Sequence, residues 1–419
     1  MREWIRPTIA CGLAASLLLA GCGRGEDDSA DGPGKPISEG KATGDITIWA
    51  MGAEGEKLSE LADDFMSENP DAKVTVTPIP WDGAHDKIAN AIAAGETPDL
   101  TVVGTTWMGE FARTGGLDPT PEGLVAPDHF FDGAWDTTVV DGTSYGVPWY
   151  VETRMIYVNK DVAAKAGVSS SPKTWDDLKS GITAMQDKGD AEWGISLQPG
   201  GTGSWQTALP FVWQNGGEVM DGDNFAFNSP QTIEALDYYN SYFTDGLSPT
   251  DLPDGSLEPD FIKGEIGAFV SGPWHMGILD DQGATGEYAL WPMPSKESRT
   301  SFIGGSDLAV FKDAKNRDGA WKFIQYASQP DVQVEWYKTV AALPSVTAAW
   351  DDKALASDPQ LAAFGEQLDD AKAPPTIATW EQVAAAFDGQ VEKLTKTDIT
   401  AKEAADAIQE EATSIGTGG

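Results

Sequence analysis

Cysteine and histidine are scarce in this chain of 419 residues. The two cysteines, Cys11 and Cys22, both lie at the extreme N-terminus, and the three histidines are far apart. The rest of the chain therefore offers no disulfide, no thiolate metal site and no cysteine nucleophile. No pair of histidines has the spacing of a zinc motif such as H-E-x-x-H. We therefore expect no metal site and no cofactor.

Positively charged residues are also few. The 28 lysines and arginines face 66 aspartates and glutamates, which gives a formal net charge of −38. This balance argues against nucleic acid and against an anionic membrane surface as partners, because both need a basic footprint. A nucleotide is disfavoured as well, because the glycine-rich segment 200–206 has neither G-x-G-x-x-G nor a G-K-[ST] ending. The charge is typical of a soluble protein outside the cytoplasm.

Long hydrophobic runs are missing. The apolar run at residues 12–20 follows two arginines and is shorter than the roughly 20 residues of a membrane span. It ends in Leu19-Ala20-Gly21-Cys22, which resembles the lipobox of bacterial lipoproteins. We expect a signal peptide at residues 1–21, a lipid on Cys22 that anchors the protein to the outside of the cell membrane, and a flexible tether at residues 22–43. The alternative is a plain secretory peptide cut after Gly21.

The length and the pattern of elements predict two α/β domains. Strands at 46–49, 74–76 and 100–103 alternate with helices, which indicates βαβ units and a largely parallel sheet. Ligands of such sheets bind beyond the carboxyl ends of the strands. Each of these three ends holds a tryptophan, namely Trp49, Trp81 and Trp107.

Further elements follow from turn residues and apolar periodicity. Thr174 and Asp177 have the pattern of a capping box, and Ser229-Pro230 that of an N-cap followed by proline. The patterns predict a loop region before residue 145, strands at 194–197, 267–270 and 308–311, and helices at 314–328, 330–338, 380–394 and 402–412.

The segment 145–154 has the residue types that suit a sugar. Trp149 and Tyr150 offer flat apolar faces with polar edges. Glu152 and Arg154 stand two apart, so they point to the same side of an extended chain. Rings beside fixed charges can stack on the CH faces of a sugar and hydrogen-bond its hydroxyls. The alternative is an ordinary strand with packed aromatic residues and a surface ion pair.

A series of short motifs follows along the chain. They are Ile46-Thr47-Ile48-Trp49, Thr97-Pro98-Asp99-Leu100, Gly146-Val147-Pro148, residues 157–161, Gly216-Gly217, Ser271-Gly272-Pro273-Trp274, Gly304-Gly305, Ala320-Trp321-Lys322-Phe323 and Leu343-Pro344-Ser345. In this order they resemble the bacterial extracellular solute-binding proteins of family 1, the maltose-binding type, which are the receptors of ABC importers. The resemblance covers nearly all of the chain after residue 44.

The resemblance implies a periplasmic-binding-protein-like α/β fold with two discontinuous lobes, a hinge and a ligand cleft between the lobes. Lobe one would comprise residues 44–151 plus 275–313, and lobe two residues 152–270 plus 330–419. The chain would cross between the lobes near residues 151 and 270 and along residues 314–329. Such hinges absorb the backbone change when the lobes close on a ligand.

The resemblance also implies roles for individual residues. Trp274 matches an aromatic platform and Glu152 a carboxylate that binds sugar hydroxyls. The loop after the third strand departs from the family pattern, because it holds Thr-Trp-Met where relatives often have charges. For each tryptophan the competing interpretation is core packing. The full set of candidate ligand-binding residues is Trp274, Glu152, Trp205, Gln206, Trp107, Thr106, Trp380, Tyr150, Arg154, Asp82, Trp81 and Asp307.

We therefore expect a monomeric binding lipoprotein, not an enzyme, that captures a di- or oligosaccharide and delivers it to an ABC permease. A first alternative is a secreted glycoside hydrolase or lyase, with two of Asp82, Glu152 and Asp307 about 5–10 Å apart in one cleft. A second is a binding protein for a glycerol-phosphate ester, which would use Arg154. A third is a purely structural surface lipoprotein without a ligand.

Overall fold

The computed structural model describes residues 34–81 and 83–418. The predicted signal peptide, the lipidation of Cys22, the first part of the tether and the proposed role of Asp82 lie outside these residues and stay predictions. Within the described ranges, no helix combines the length and the apolar character that a membrane span requires.

The end of the predicted tether is not free of the folded body. The backbone NH of Gly34 donates to the Thr120 carbonyl at 2.9 Å, and that of Ser38 donates to Asp318 Oδ2 at 2.8 Å. Ala42 is fully buried. The prediction of a flexible tether up to residue 43 is therefore wrong for residues 34–43, because backbone hydrogen bonds and one apolar anchor hold them.

The strands are short except for three of them. They are β1 (Gly44–Met51), β2 (Ala72–Ile79), β3 (Leu100–Gly104), β4 (Val139–Val140), β5 (Thr143–Ser144), β6 (Val147–Thr153), β7 (Met155–Asn159), β8 (Met220–Asp221), β9 (Asn224–Phe225), β10 (Ala268–Ser271), β11 (Tyr288–Trp291), β12 (Ser301–Val310), β13 (Leu343–Pro344) and β14 (Ala371–Lys372).

The helices follow most of the predicted patterns. They are α1 (Gly52–Glu68), α2 (Ala84–Ala94), α3 (Met108–Arg113), α4 (Asp132–Asp136), α5 (Lys160–Ala166), α6 (Trp175–Lys188), α7 (Trp205–Gln214), α8 (Pro230–Thr244), α9 (Leu257–Lys263), α10 (Trp274–Asp281), α11 (Arg317–Ala327), α12 (Pro330–Val340), α13 (Lys353–Ala356), α14 (Pro359–Leu368), α15 (Trp380–Lys396) and α16 (Ala401–Ile415), with 3₁₀ turns at Thr105–Trp107, Pro127–His129 and Thr347–Asp351.

The first lobe is built on a seven-stranded sheet of order β13-β6-β12-β3-β1-β2, in which β14 also pairs with β12. β1 is parallel to β2 and β3, whereas β12 is antiparallel to both β3 and β6. The prediction of a largely parallel sheet is therefore wrong, because β12 enters the middle of the sheet in the opposite direction. β12 is also longer than predicted and includes Gly304 and Gly305. Gly305 has φ +125° where a Cβ would lie 2.1 Å from the Tyr150 carbonyl oxygen, so only glycine fits this approach to β6.

The second lobe is built on a three-stranded antiparallel sheet of order β10-β7-β11. Its apolar core joins this sheet to α5–α8, α15 and α16. The segment that carries α10 and β11 therefore lies in the second lobe, because β11 pairs with β7. The prediction that residues 275–313 belong to lobe one is therefore wrong for this part, whereas β12 lies in the first sheet.

The strand pairing also moves the predicted crossovers. β6 belongs to the first sheet up to Thr153 and β7 to the second sheet from Met155, so the chain changes sheet at Arg154, close to the predicted crossover near residue 151. Val270 lies inside β10, and the return to the first sheet falls between β11 and β12. α11 packs in the same apolar core as β1, and α12 and β13 also pack on the first sheet. Residues 314–329 are therefore part of the first lobe and not a crossover. The start of the segment 330–419 belongs to the first lobe as well and not to the second. An apolar cluster that includes Val151, Met155 and Ile303 spans the junction of both sheets.

Two smaller predictions of secondary structure are wrong. Residues 194–197 form no continuous strand, because Ser196 makes an isolated bridge to Phe269 and the preceding Trp193 makes another to Ile266. The region before residue 145 is not a plain loop, since it contains α4 and the β4–β5 pair.

The capping predictions are confirmed. Thr174 Oγ1 accepts from the backbone NH of Asp177, and Asp177 Oδ2 accepts from the backbone NH of Thr174, both at 3.1 Å. Ser229 accepts from the backbone NH of Thr232, with Pro230 in the first turn of α8. These caps hold the first turns of α6 and α8 in the second lobe.

Replacing Thr174 with alanine is expected to lower the free energy of unfolding by about 1 kcal/mol, because α6 loses a hydrogen bond to its first turn. Urea titration followed by circular dichroism measures the change. Thr250, an exposed threonine in the loop after α8, is the matched control for Ala substitution. Equal midpoints for the two variants would contradict a contribution of the cap.

Candidate functional site

Two cavities lie where the carboxyl ends of the first sheet face the second lobe. The first cavity has a volume of about 580 Å³ and the second about 540 Å³. β3 and β6 run in the same direction, because each is antiparallel to β12, so their carboxyl ends share one edge of the sheet. That edge supplies residues to both cavities, as the strand pattern predicts.

Residues from both lobes line the first cavity. Tyr150 and Glu152 come from β6, Glu54 from the first turn of α1 and Trp274 from the start of α10. The turn from α12 to β13 and the start of α14 complete the wall. Three of the predicted site residues, Tyr150, Glu152 and Trp274, are therefore brought together.

Trp274 presents its ring to solvent in the first cavity. It is 44 % exposed, although large apolar side chains are usually buried. Gly272 makes this position possible, because a Cβ on residue 272 would lie 2.0 Å from the indole ring. The Arg154 guanidinium lies 4.9 Å from the ring centroid on the protein side. An open aromatic face with fixed backing can act as a stacking surface.

The first cavity is acidic. Burial raises the pKa of Glu54, and the nearby charge of Glu152 raises it further, although a backbone hydrogen bond opposes the shift. Burial also raises the pKa of Tyr150, whose phenol oxygen accepts from Ser306 Oγ at 3.0 Å. Among the described residues that line this cavity, none is Lys, Arg or His, and four are carboxylates: Glu54, Glu152, Asp280 and Asp358. The lining therefore offers hydrogen-bond acceptors and a neutral phenol.

Arg154 lies behind the cavity wall and is 5 % exposed. Its Nη1 is 3.4 Å from Glu152 Oε1, and its Nη2 donates to Gln206 Oε1 at the start of α7. Its guanidinium also lies 5.1 Å from the ring of Phe302. The arginine at the crossover thus joins β6 to the second lobe and does not line either cavity.

The second cavity joins the loop after β3 to the second lobe. Thr106 and Trp107 face Trp205 and Gln206 at the start of α7. These are four further predicted site residues that the structure brings together. The opposite wall is formed by α15, which contributes a row of carboxylates and small residues: Glu381, Ala384, Ala385, Asp388, Gly389 and Glu392.

Asp388 holds the glycine-rich loop of the second cavity in place. It accepts from the backbone NH groups of Gly203 and Trp205 at 2.8 and 2.7 Å and from Ser204 Oγ at 2.8 Å. Burial raises the pKa of Asp388, and these three hydrogen bonds lower it. The carboxylate satisfies orphan NH groups at the start of α7.

The tryptophans predicted at the strand ends behave differently from one another. Trp81 is 37 % exposed and packs edge-on against Trp107, with ring centroids 5.6 Å apart. Trp49 lies within β1, where Lys87 Nζ is 4.5 Å from its ring centroid. Trp149, in the segment that suggested a sugar, is buried and stacks on Trp336 at 5.1 Å. Trp81 and Trp107 therefore form one aromatic surface beside the second cavity.

Besides Arg154 and Trp81, two more predicted site residues, Trp380 and Asp307, do not line either cavity. Trp380 is 1 % exposed and packs edge-on against Trp205, with ring centroids 5.1 Å apart. Asp307 is fully buried, and Thr137 Oγ1 donates to its oxygens at 3.1 and 3.2 Å. Burial raises the pKa of Asp307 to about 8. The expectation that Asp307 faces the cleft is wrong, because its side chain points to Thr137 in the buried interior.

Sequence reasoning missed several lining residues. Glu54 stands three residues after β1, so the strand-end rule could have found it. Asp388 is separated by more than 180 residues from the loop that it holds, and no local pattern marks it. The other lining residues that were missed include Asp280, Tyr337, Asp358, Glu381 and Glu392.

Comparison with known families and structures gives one consistent result. The family model described as bacterial extracellular solute-binding protein matches residues 50–334. The solved structure of the sugar-binding protein MalE from Xanthomonas citri superposes with a TM-score of 0.84 at 30 % identity, covering 89 % of this chain and 97 % of that one. The cyclic α-maltosyl-1,6-maltose binding protein from Arthrobacter globiformis has a TM-score of 0.81 at 24 % identity, covering 90 % and 100 %. These superpositions confirm the two-lobe α/β fold.

Curated relatives agree with the structures. The diacetylchitobiose binding protein DasA of Streptomyces coelicolor is 29 % identical over 359 residues, which is 81 % of each chain. The maltotriose-binding protein of Pyrococcus abyssi is 26 % identical over 380 residues, which is 86 % of this chain and 80 % of that one.

Proposed function

Because the chain belongs to the bacterial extracellular solute-binding protein family, we propose that it captures a di- or oligosaccharide between its lobes and delivers it to the permease of an ABC importer. The family consists of binding proteins, so the chain is a receptor and not an enzyme. The observation that carries the choice of a sugar is the exposed ring of Trp274 beside the acceptors of Glu54 and Glu152. A ring stacks on the CH face of a pyranose while carboxylates accept from its hydroxyls.

The proposed mechanism is closure of the lobes about the crossover at Arg154. A ligand shifts such an equilibrium only if the closed form binds it better than the open form does. Residues of both lobes line each cavity, so a sugar that contacts both walls meets that requirement. The contact of Arg154 with Gln206 ties the crossover to the start of α7, which lines the second cavity.

The location outside the cytoplasm follows from the family. We propose in addition that a lipid on Cys22 anchors the receptor to the membrane and that the protein acts as a monomer. The partners would be the oligosaccharide and the permease subunits, with no nucleic acid and no other contact with the membrane.

The remaining alternatives have less support. A glycoside hydrolase is disfavoured because the family consists of binding proteins, and because Asp307, one of the three carboxylates considered for that role, is buried away from both cavities. A phosphate ester would need free basic groups, whereas Arg154 is engaged with Glu152, Gln206 and Trp274. No lining residue of the first cavity in the described chain supplies another cation.

Titration of the full chain against a sugar panel tests the function. Intrinsic tryptophan fluorescence is followed while α- and β-linked di- and trisaccharides, xylo- and galacto-oligosaccharides, monosaccharides and glycerol-phosphate esters are added. We expect a saturable response, with a dissociation constant in the micromolar range or tighter, to one linkage class, and the sugar recovered unchanged afterwards. A response to phosphate esters alone would indicate that the ligand binds at Arg154. Silence across the panel would contradict sugar binding.

A further inference from the structure

We propose that Glu258, His275 and Ser271, none of which lines a cavity, form a hydrogen-bonded chain that positions the Trp274 ring and so sets the affinity of the first cavity. The proposal rests on the proposed function for its effect on sugar binding, but its structural part can be tested without any ligand. The three residues are positioning residues, since they act on the ligand only through Trp274.

His275 is the centre of this chain of contacts. It follows Trp274 in α10 and is 9 % exposed. Its Nδ1 lies 2.6 Å from Ser271 Oγ, at the end of β10, and its Nε2 lies 3.0 Å from Glu258 Oε1, in the first turn of α9. One imidazole therefore joins three separate elements of the second lobe directly behind the exposed indole.

The chemistry of the partners assigns the proton. A carboxylate only accepts hydrogen bonds, so Nε2 carries the hydrogen and donates to Glu258. Nδ1 then has a free lone pair and accepts from the Ser271 hydroxyl. A single neutral tautomer satisfies both contacts. Burial lowers the pKa of His275 below its usual 6.5, as does the charge of Arg154, while the hydrogen bond to Glu258 raises it.

A second anchor holds the same turn. The Tyr157 hydroxyl donates to the Gly272 carbonyl at 2.6 Å, and the indole of Trp274 lies over Gly272 where a Cβ would collide with it. Ser271 is held by its hydrogen bond with His275, and Gly272 is held by its hydrogen bond with Tyr157. The positions of both residues before Pro273 are therefore fixed. Loss of the Ser271 contact frees one of the two points that define the ring position.

Protonation of His275 would reverse one bond in this chain. With a hydrogen on Nδ1, Ser271 Oγ must accept, and its own hydrogen needs a new acceptor. Titratable and charged groups that face the imidazole come from three elements: Glu258 in α9, Tyr157 in β7 with ring centroids 5.9 Å apart, and Arg154 at the crossover. The ring of Trp274 should therefore lose order, and the sugar should bind more weakly, as the pH falls through a value below 6.5.

Fluorine NMR of the full chain labelled with 5-fluorotryptophan tests the structural part. The Trp274 resonance is identified by its absence in Trp274→Phe and followed from pH 8 to pH 5. We expect one titration with a midpoint below 6.5. Glu258→Gln keeps an acceptor for Nε2 but removes the charge that favours the imidazolium, so the midpoint moves to lower pH. Ser271→Ala should shift and broaden the resonance already at pH 7.5.

Controls separate this proposal from the function itself. Glu265→Gln removes an exposed carboxylate of the same lobe and should leave the midpoint unchanged. With maltotriose as the probe, or the panel sugar that binds if maltotriose does not, we expect at least threefold weaker binding at pH 5 than at pH 7.5, and a smaller loss in Glu258→Gln. A Trp274 resonance that does not titrate, or an unchanged midpoint in Glu258→Gln, would overturn the positioning role even if sugars bind. If no sugar binds while the resonance titrates as expected, the proposed function fails and the positioning chain stands.

Discussion

Replacing Trp274 with alanine is expected to weaken sugar binding at least tenfold, about 1.4 kcal/mol, with almost no change in thermal stability. The ring is 44 % exposed, so its removal creates little cavity in the core and costs little on folding. In the complex the same ring would be covered by the sugar, and its loss removes apolar contact and dispersion. Isothermal titration calorimetry with the sugar found in the panel gives the affinity, and calorimetric unfolding gives the stability.

Ile278 provides the matched control for this experiment. It lies one turn further along α10, is 36 % exposed and does not line the first cavity. Ile278→Ala should leave the affinity unchanged within the error of the titration. If Trp274→Ala binds as tightly as Ile278→Ala, Trp274 is not part of the site. If both variants unfold at a lower temperature than the parent chain, the exposed side chains of α10 contribute to the stability of that helix.

Asp307 is expected to make the protein less stable as the pH rises from about 4 to about 8. Its pKa is raised from 3.8 to about 8 by burial, against one opposing hydrogen bond from Thr137. Between these values the folded state keeps the proton while the unfolded state releases it, so unfolding is favoured by rising pH. The contribution is fully present below the unfolded pKa, is lost progressively up to the folded pKa, and amounts to about 1.4 kcal/mol for each pH unit in between.

The substitution Asp307→Asn isolates this effect from the other titrating groups. The amide has the size of the carboxyl and carries no titratable proton. Urea unfolding at pH 5 and pH 8 should show a stability difference between the variant and the parent chain that changes by several kcal/mol in favour of the variant at pH 8. Asp313→Asn, an exposed position just after β12, serves as the control. A constant difference between Asp307→Asn and the parent chain at both pH values would show that Asp307 titrates normally.

Local signals in the sequence predicted local structure well. The caps at Thr174 and Ser229 are short-range patterns whose partners lie within three residues, so the structure had little freedom to alter them. The family motifs predicted the two-lobe fold for a different reason, namely that their order carries long-range information. The predicted lobe boundaries were wrong because they depend on strand pairing. β11 pairs with β7, and no residue pattern in β11 predicts that pairing.

The same contrast applies to the site. Trp274, Glu152 and Tyr150 were predictable, because a Gly-Pro turn and a strand end expose them at the junction of the lobes. Trp380 was predicted from its place in the family order, and its burial against Trp205 depends on a contact across 175 residues. The prediction for Asp307 failed because its side chain contacts Thr137, which lies 170 residues away along the chain and is marked by no local pattern. The role of Asp388 could not be predicted from the sequence, because its hydrogen-bond partners lie in a different part of the chain.

The position of β12 in the middle of the first sheet determines when that sheet can be completed during folding. β3 and β6 are both available by residue 153, but the strand that fills the space between them ends only at residue 310 of 419. Until then each of the two strands has an unpaired edge, which is a site for wrong pairing and aggregation. Closing so long a loop is slow, since its entropy must be lost before the contacts form. A chain cut before residue 301 would therefore contain most of the residues of the first lobe and still be unable to fold it.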